Sequence, residues 1–447
     1  MPDQLPAGPY RTISINDGQQ APFYIIPFDE QGLCQGPLTQ AQMLSTVQVD
    51  SYTDIFIFSH GWNNDWSAAT GLYNTFLDGY MKFYHDHRLT YGRPFRPLMI
   101  GIFWPSIALV SPSENAPAIA GTDPQLTDMQ IALNLREVQS IAATIAKNDV
   151  ERFYALAQRG SDLKLDEALE LARIMAPIYN VSSDELPDKG PVPSPEETVK
   201  MWQTIARMGP SADTSGAFGF ANEPASSPEA AGLLDFLDPR EIIRGATVLQ
   251  MKDRAGVVGA HGVCSLLHDL LTNSGSARLH LIGHSYGCKV LLSALCFKDI
   301  PRLVHSILLF EPAVSYLCFA KDATGMGQPG GYHLAPQRVE EPLLLTFTAN
   351  DIPLRQFFHL AVRRPSDLGD MQIAGAPPSR YAALGGYGPG GVDDESKEIP
   401  IKSAGDPYNL GPGAPRICAL NGSNVIMGHG DISIEATWWA LFEQLVN

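Results

Sequence analysis

The sequence predicts an α/β fold with a mostly parallel central sheet flanked by helices. Short apolar runs alternate with helical patterns near both ends of the chain. A Gly-x-Ser-x-Gly motif also joins one of these runs to a helix. The length of 447 residues suggests two or three domains, or one large α/β core that contains insertions, and the hydrophobic content of 45% is typical of a globular protein.

The first hundred residues predict a hairpin followed by the start of a parallel sheet. Two strands at 10–15 and 23–28 flank an Asn-Asp-Gly turn signal. A buried strand at 54–59, an amphipathic helix at 66–89 and a strand at 97–104 follow. Strand, helix and strand with short connections indicate parallel pairing.

Residues 107–245 interrupt this alternation and predict an inserted helical cap, or lid. Helical patterns cover 126–158, 165–179 and 196–208, and 209–227 is rich in loop-forming residues. Acidic residues outnumber basic ones in this segment. We therefore expect residues 1–106 and 246–447 to form one domain, with the cap over the edge of its sheet.

The remaining chain predicts the rest of the sheet. A helical pattern at 248–271 leads to the strand before the serine motif, and strands at 303–310, 343–349 and 417–420 follow, the last with a possible continuation at 424–426. Residues 364–416 are dominated by Gly, Pro and Ala without strong periodicity, and a helix at 434–445 ends the chain.

Charge and cysteine content narrow the possible partners. The net charge of -17 repels nucleic acid and anionic membranes, and it suits a neutral substrate unless it serves solubility alone. No apolar stretch reaches the roughly 20 residues that span a bilayer, and the first residues lack a secretory signal. Six cysteines without Cys-x-x-Cys spacing predict reduced thiols rather than metal ligands. We therefore expect a cytoplasmic protein without a transmembrane segment or a nucleic-acid partner; the oligomeric state stays open.

The Gly-His-Ser-Tyr-Gly motif at 283–287 predicts a nucleophile on a sharp strand-to-helix turn. Glycines two residues before and two after Ser285 fit the crowding of such a turn. The alternative is an ordinary glycine-flanked loop, but the strand-like run before the motif and the helical pattern after it favour the turn. Ser285 is thus the candidate nucleophile.

A serine hydroxyl needs a base and an acid that orients the base. His429 is the candidate base because it lies in a Gly-His-Gly-Asp turn after the last strand. Asp351 is the candidate acid, since it follows a strand at the edge where such sheets gather catalytic groups. Asp351 could instead cap the helix that follows, and Glu311, after the preceding strand, competes with it for the role. Asp431 is explained by capping the last helix.

Two backbone N–H groups are candidates for holding the oxyanion that forms on the attacked carbonyl. Tyr286, directly after the nucleophile, supplies one. Trp62 supplies the other, because Gly61 lets the loop after the early strand swing inward. Core packing is the alternative role of the Trp62 side chain, and the two roles are compatible. His60, Gly61 and Trp104 are expected beside the substrate pocket.

These motifs, in the chain order Ser, Asp, His, resemble the α/β-hydrolase superfamily. Ser-His-Gly-Trp-Asn-Asn at 59–64 and Phe-Trp-Pro-Ser at 103–106 are similar to the signatures of a bacterial branch of esterases. The resemblance covers about 50–106 and 248–447; it does not predict the helical block between them. It implies an esterase or lipase-like serine hydrolase that acts without a metal or other cofactor.

The resemblance and the residues together predict cleavage of a carboxylic ester through an acyl-enzyme, with a small-molecule or acyl-chain ester as substrate. Amide, thioester or lactone hydrolysis would use the same groups. A binding protein that has lost turnover on this scaffold is the alternative from a different class. The presence of Ser285, Asp351 and His429 argues against it.

Overall fold

The structure, a computed structural model, describes most of the chain. It covers residues 7–16, 19–106, 138–139, 141–157, 163–180, 185, 194–207, 250–358, 378, 382–392 and 394–446. The predicted loop at 209–227 lies outside these residues. Among the described helices, none is long and apolar enough to cross a membrane.

Strands and helices alternate along much of the described chain. The strands are β1 Arg11–Asn16, β2 Gln19–Pro27, β3 Asp54–Ser59, β4 Pro97–Phe103, β5 Arg278–His284, β6 Ser306–Phe310, β7 Leu343–Phe347, β8 Ser396–Pro400 and β9 Ile417–Asn421. The α-helices are α1 Pro37–Val49, α2 Trp66–Asp86, α3 Val150–Ala157, α4 Leu165–Met175, α5 Pro195–Arg207, α6 Cys264–Asn273, α7 Tyr286–Cys296, α8 Leu384–Tyr387 and α9 Glu435–Val446. A further helix at 250–257 continues through the π-helical segment Val258–Val263 into α6.

The described strands form one sheet in the order β1-β2-β4-β3-β5-β6-β7-β9-β8. Only the β1–β2 hairpin is antiparallel among these pairs. The predicted α/β class with a mostly parallel sheet is confirmed. Because β5, β6, β7 and β9 run in the same direction, the loops that follow them meet at one edge of the sheet.

Alternate residues of the buried strands pack on opposite faces of the sheet. On one face, Ile55 and Ile57 belong to a core that α1, α6 and α7 cover. On the other face, Phe56 and Phe58 belong to a core that α2 and α9 cover. Burial on both faces explains why the central strands read as continuous apolar runs.

The described part of the insertion packs onto the first of these faces. Phe153 and Leu171, from α3 and α4, share a buried cluster with Leu291 of α7. The side chain of Glu185 is also fully buried, 3.0 Å from Lys289 Nζ of α7 and 3.2 Å from Lys252 Nζ. The ion pair between Glu185 and Lys289 joins this segment to the helix that follows Ser285. Removing either partner would leave a buried charge unpaired and would be strongly destabilising.

Two predicted helices are interrupted in the structure. The pattern at 126–158 predicted one helix, but its described part has extended backbone at Ala146 (ψ 135°) before α3, so a continuous helix is wrong there. The helix at 248–271 contains the π-helical segment. There Gly259 lies against α7, and a Cβ on Gly262 would be 2.6 Å from the Gly32 carbonyl oxygen. Close packing on both sides accompanies this change of helical pitch.

Candidate active site

The candidate catalytic residues lie in loops at the carboxyl ends of three strands. Ser285 follows β5, Asp351 comes after β7, and His429 comes after β9. These strands belong to one parallel run of the sheet, with β6 between β5 and β7. Ser285 and His429 are 144 residues apart in sequence (429 − 285), and the parallel strands bring their loops to the same edge of the sheet.

Ser285 has a strained backbone, with φ 54° and ψ -125°. A non-glycine residue with positive φ is uncommon and marks stored strain. The flanking glycines allow this turn, since a Cβ on Gly283 would be 2.9 Å from the backbone of Cys288. A Cβ on Gly287 would clash with the carbonyl oxygens at the end of β3. The motif thus forms the tight strand-to-helix turn that its spacing predicts.

Ser285 is buried and only 1% exposed. Its Oγ is buried and has no hydrogen-bond partner among the residues that the structure describes. The backbone, in contrast, is held on both sides. Ser285 N donates to Phe310 O at 3.0 Å, and Ala313 N donates to Ser285 O at 3.3 Å. The backbone of the turn is therefore held in place, whereas the hydroxyl makes no hydrogen bond with the described residues, His429 included.

His429 and Asp351 are in direct contact. His429 Nδ1 lies 2.6 Å from Asp351 Oδ2, and both side chains are buried. Because a carboxylate accepts, Nδ1 carries the hydrogen that joins the two side chains, and the ring then turns Nε2 away from Asp351. This is the arrangement that an orienting acid and a general base require.

The second carboxylate oxygen of Asp351 caps the following helical turn. Asp351 Oδ1 accepts from Leu354 N at 2.8 Å. The two roles considered for Asp351 are thus compatible, one for each oxygen. Asp431, in contrast, does not cap the last helix, since its Oδ2 accepts from Met427 N at 3.0 Å and closes the turn that contains His429. That earlier interpretation of Asp431 is wrong.

Glu311 is buried beside these groups but bonds elsewhere. Its Oε1 accepts from Thr346 Oγ1 at 2.7 Å, and its backbone has positive φ, 39°. Burial raises the pKa of Glu311 well above its usual range, and the nearby charges of Asp351 and Asp431 raise it further, although the Thr346 bond acts against both. The side chain of Glu311 contacts Thr346, whereas that of His429 contacts Asp351. The geometry therefore favours Asp351.

His284 is a functional candidate that the sequence did not indicate. Its Nε2 donates to the carbonyl oxygen of His429 at 2.7 Å, and the two rings lie 5.0 Å apart. Burial lowers the pKa of His284 to about 3, so the ring is neutral at pH 7. Local sequence could not indicate this contact, because the two residues are 145 positions apart in the chain.

The loop after β3 is fixed by its own side chains. His60 Nδ1 donates to Gly61 O at 2.8 Å, and Trp104 N donates to His60 Nε2 at 3.3 Å. Trp104 Nε1 also donates to His60 O at 3.0 Å. Burial lowers the pKa of His60 to about 4, which keeps it in the neutral form that these bonds need. His60 and Trp104, both fully buried, thus hold the loop through these hydrogen bonds, and their position beside a substrate pocket stays a prediction.

Gly61 places this loop against the serine. A Cβ on Gly61 would be 2.7 Å from Ser285 Cβ, so only glycine allows the approach. Asn64 Nδ2 donates to Gly61 O at 3.2 Å and to Trp62 O at 2.8 Å. In a trans peptide the N–H points opposite to the carbonyl, so the Trp62 N–H points away from Asn64. Gly61 and Trp62 remain candidates for the pocket and the oxyanion site.

Tyr286 begins α7 directly after Ser285. The first N–H groups of a helix point out of its end and carry the positive pole of its dipole. The Tyr286 side chain is fully buried and its ring lies 6.5 Å from that of Phe358. The backbone N–H of Tyr286 therefore lies at a helix end that is suited to a developing negative charge.

Within the described part of the chain, no cluster of three or more His, Cys, Asp and Glu residues could hold a metal ion. All six cysteines are free thiols, and Cys288, next to the serine turn, is fully buried. Burial raises the pKa of Cys288 well above its usual range, so it is not an alternative nucleophile.

We compared the chain with known protein families, curated proteins and solved structures. No family model matches the chain, and no curated protein or solved structure is significantly similar to it. A functional interpretation therefore depends on the geometry of the site itself.

Proposed function

We propose that this protein is a serine hydrolase that cleaves a carboxylic ester through an acyl-enzyme. The observation that supports this most strongly is the contact of 2.6 Å between His429 and Asp351, together with the bond from His284 to His429 O that ties this pair to the strained turn of Ser285. A hydroxyl on such a turn, a neutral imidazole and a carboxylate are what acyl transfer needs. The mostly parallel sheet, with the serine at the carboxyl end of β5, supports an α/β-hydrolase fold.

In the first step, His429 Nε2 takes the proton of Ser285 Oγ as Oγ bonds to the ester carbonyl carbon. Asp351 holds Nδ1 and stabilises the imidazolium that forms. The carbonyl oxygen becomes an oxyanion that accepts from the N–H groups of Trp62 and Tyr286. When the oxyanion collapses, the bond to the alcohol oxygen breaks, and His429 returns the proton to the departing alkoxide.

In the second step, water replaces the alcohol. His429 takes a proton from the water as its oxygen attacks the acyl carbon. Collapse of the second oxyanion breaks the bond to Ser285 Oγ, which recovers its proton from His429. The products are a carboxylic acid and an alcohol, and the chain returns to its starting state. Apart from the ester and water, neither step needs a further reactant.

The inserted segment is proposed to act as a cap over this site. The segment lies between β4 and β5 in the sequence, and its residue Glu185 forms an ion pair with Lys289 of α7. Because α7 begins at the residue after Ser285, the cap is attached to the helix that supports the nucleophile. A cap fixed in this way suits a small neutral ester that it can enclose.

A fluorophosphonate probe tests the proposal, since such a probe labels only an activated serine. We expect stoichiometric labelling of the full chain and its loss in Ser285→Ala. Ser265→Ala, at an exposed serine of α6, is the matched control and should label normally. A wild-type chain that is not labelled would favour the binding-protein alternative. Hydrolysis of p-nitrophenyl esters of increasing chain length, compared with matching anilides and thioesters, would then define the bond that is cut.

A further inference from the structure

The two loops that contribute Asp351 and His429 run side by side. Their strands β7 and β9 are parallel neighbours, paired up to Phe347 and Asn421. Beyond that pair the regular ladder ends, apart from a bond of 2.8 Å from Gly422 N to Phe347 O. Other contacts must therefore set the separation of the two loops.

Asn350 supplies two of these contacts. Its Nδ2 donates to Ser423 O at 2.8 Å and to Ile426 O at 2.9 Å. Ile426 O also accepts from Thr348 Oγ1 at 2.9 Å. One amide group in the loop of Asp351 thus holds two carbonyl groups of the loop of His429.

The anchored carbonyls belong to a compact turn. Ile426 N donates to Gly422 O at 2.7 Å, and the Ile426 side chain is fully buried. Three residues later the same loop presents His429. Because the turn is compact, a shift of its anchored carbonyls would move His429 relative to Asp351.

We propose that Asn350 is a positioning residue that sets the contact between His429 and Asp351. It acts through the backbone of the histidine loop and does not touch the reacting atoms. This inference rests on the proposed function, because positioning affects a rate only if His429 serves as the base. A displacement of about 1 Å in a catalytic group can cost a factor of about 100 in rate.

The first experiment measures how fast a fluorophosphonate labels Ser285 in the full chain. Asn350→Ala removes both donors, and Asn350→Leu removes them while nearly keeping the shape of the side chain. We expect each variant to label about 10- to 100-fold more slowly than wild type. Asn424→Ala, at an exposed asparagine of the histidine loop, is the matched control and should label at the wild-type rate.

The second experiment separates positioning from general support of the fold. In an Asp351→Asn background the contact with His429 is already impaired, so Asn350→Ala should then slow labelling by less than about threefold, since residues that act as a unit are non-additive. Turnover of p-nitrophenyl butyrate by Asn350→Ala should show a lower kcat with KM unchanged. A loss that is fully additive with Asp351→Asn would overturn the inference.

The remaining outcomes are also decisive. Wild-type labelling rates in both Asn350 variants would overturn the inference while leaving the proposed function intact. A loss of labelling that only follows a loss of folded protein in both variants, measured by thermal unfolding, would overturn it as well. If wild type itself is not labelled, the proposed function fails, and the inference fails with it.

Discussion

His284 Nε2 donates a hydrogen bond of 2.7 Å to the backbone carbonyl of His429. The residue before the candidate nucleophile therefore holds the backbone of the candidate base. Strand β5 and the loop after β9 are joined at this point by a neutral, buried ring. This bond joins the histidine loop to the serine turn, and the bonds of Asn350 join it to the loop of Asp351.

Replacing His284 should weaken catalysis without direct contact with substrate. His284→Leu removes the donor, and we expect fluorophosphonate labelling to slow by about 10- to 100-fold, since misplaced catalytic groups lose rate steeply. His284→Gln keeps an N–H donor of similar reach and should lose less. Equal losses in the two variants would show that the hydrogen bond is not the cause.

Asp351 and Glu311 should differ sharply when each carboxyl group becomes an amide. Asp351→Asn should lower kcat by about 10³- to 10⁴-fold, because the wrong tautomer of His429 is then favoured. Glu311→Gln keeps a side-chain oxygen that can still accept from Thr346, so kcat should stay within about threefold of wild type. Steady-state ester hydrolysis measures both. A large loss only in Glu311→Gln would transfer the role of the acid to Glu311.

Gly61 should tolerate no side chain. Gly61→Ala places a Cβ against Ser285, and we expect labelling to fall more than about 100-fold, with a loss of about 1–3 kcal/mol in the free energy of unfolding. Gly71→Ala is the matched control, since no atom lies within 4 Å of its Cβ position and it is in helix α2. It should keep the labelling rate and gain about 0.5–1 kcal/mol. Similar behaviour of the two variants would contradict the tight approach of the loop to Ser285.

The stability of the fold should fall in mild acid because His60 is buried and neutral. Burial lowers its pKa to about 4, whereas the unfolded chain has a value near 6.5. Between these values the unfolded state binds more protons, so stability decreases as the pH falls. From pH 7 to pH 5 this one residue should cost about 2 kcal/mol.

Urea unfolding at pH 7 and pH 5 measures the effect of His60. In His60→Gln the decrease between the two pH values should be smaller by about 2 kcal/mol. His85→Gln, at an exposed residue of helix α2, should keep the wild-type decrease. An unchanged decrease in His60→Gln would show that His60 does not resist protonation in the folded state.

The sequence predicted the buried strands better than the exposed elements. The bounds of β3 match the prediction, because a strand buried on both faces reads as an uninterrupted apolar run. Strand β8 was missed because it is an exposed edge strand with the polar sequence Ser-Lys-Glu-Ile-Pro. Helix α1 was missed as well; it buries only Thr39, Met43 and Val47, so its apolar pattern is weak.

Local sequence could indicate the candidate site but not its supports. The turn at Ser285 follows from two glycines, and the positions of Asp351 and His429 follow from the strands that precede them. The contacts of His284 and Asn350 join segments that are 145 and 73–76 residues apart. No local pattern encodes such pairs. The ester substrate, the cap and the cytoplasmic location stay predictions.

A second hydrogen-bonded set of a serine, a histidine and an aspartate lies at the opposite end of β5. His280 Nδ1 is 2.8 Å from Ser306 Oγ, and His280 Nε2 is 3.0 Å from Asp54 Oδ1. Arg93 also binds Asp54 through both oxygens at 2.7 Å. All three residues of this set are buried, and Ser306 lies in the regular strand β6.

The positive φ angle of Ser285 distinguishes it from Ser306, although both serines lie near a histidine and an aspartate. A search that matched side-chain identities and distances alone would select Ser306, His280 and Asp54, because every hydrogen bond of that set is formed. The backbone at Ser285 separates the two sets, since only that serine is bent out of regular structure. Geometric templates for enzyme discovery should therefore include the main-chain conformation of the nucleophile along with its partners.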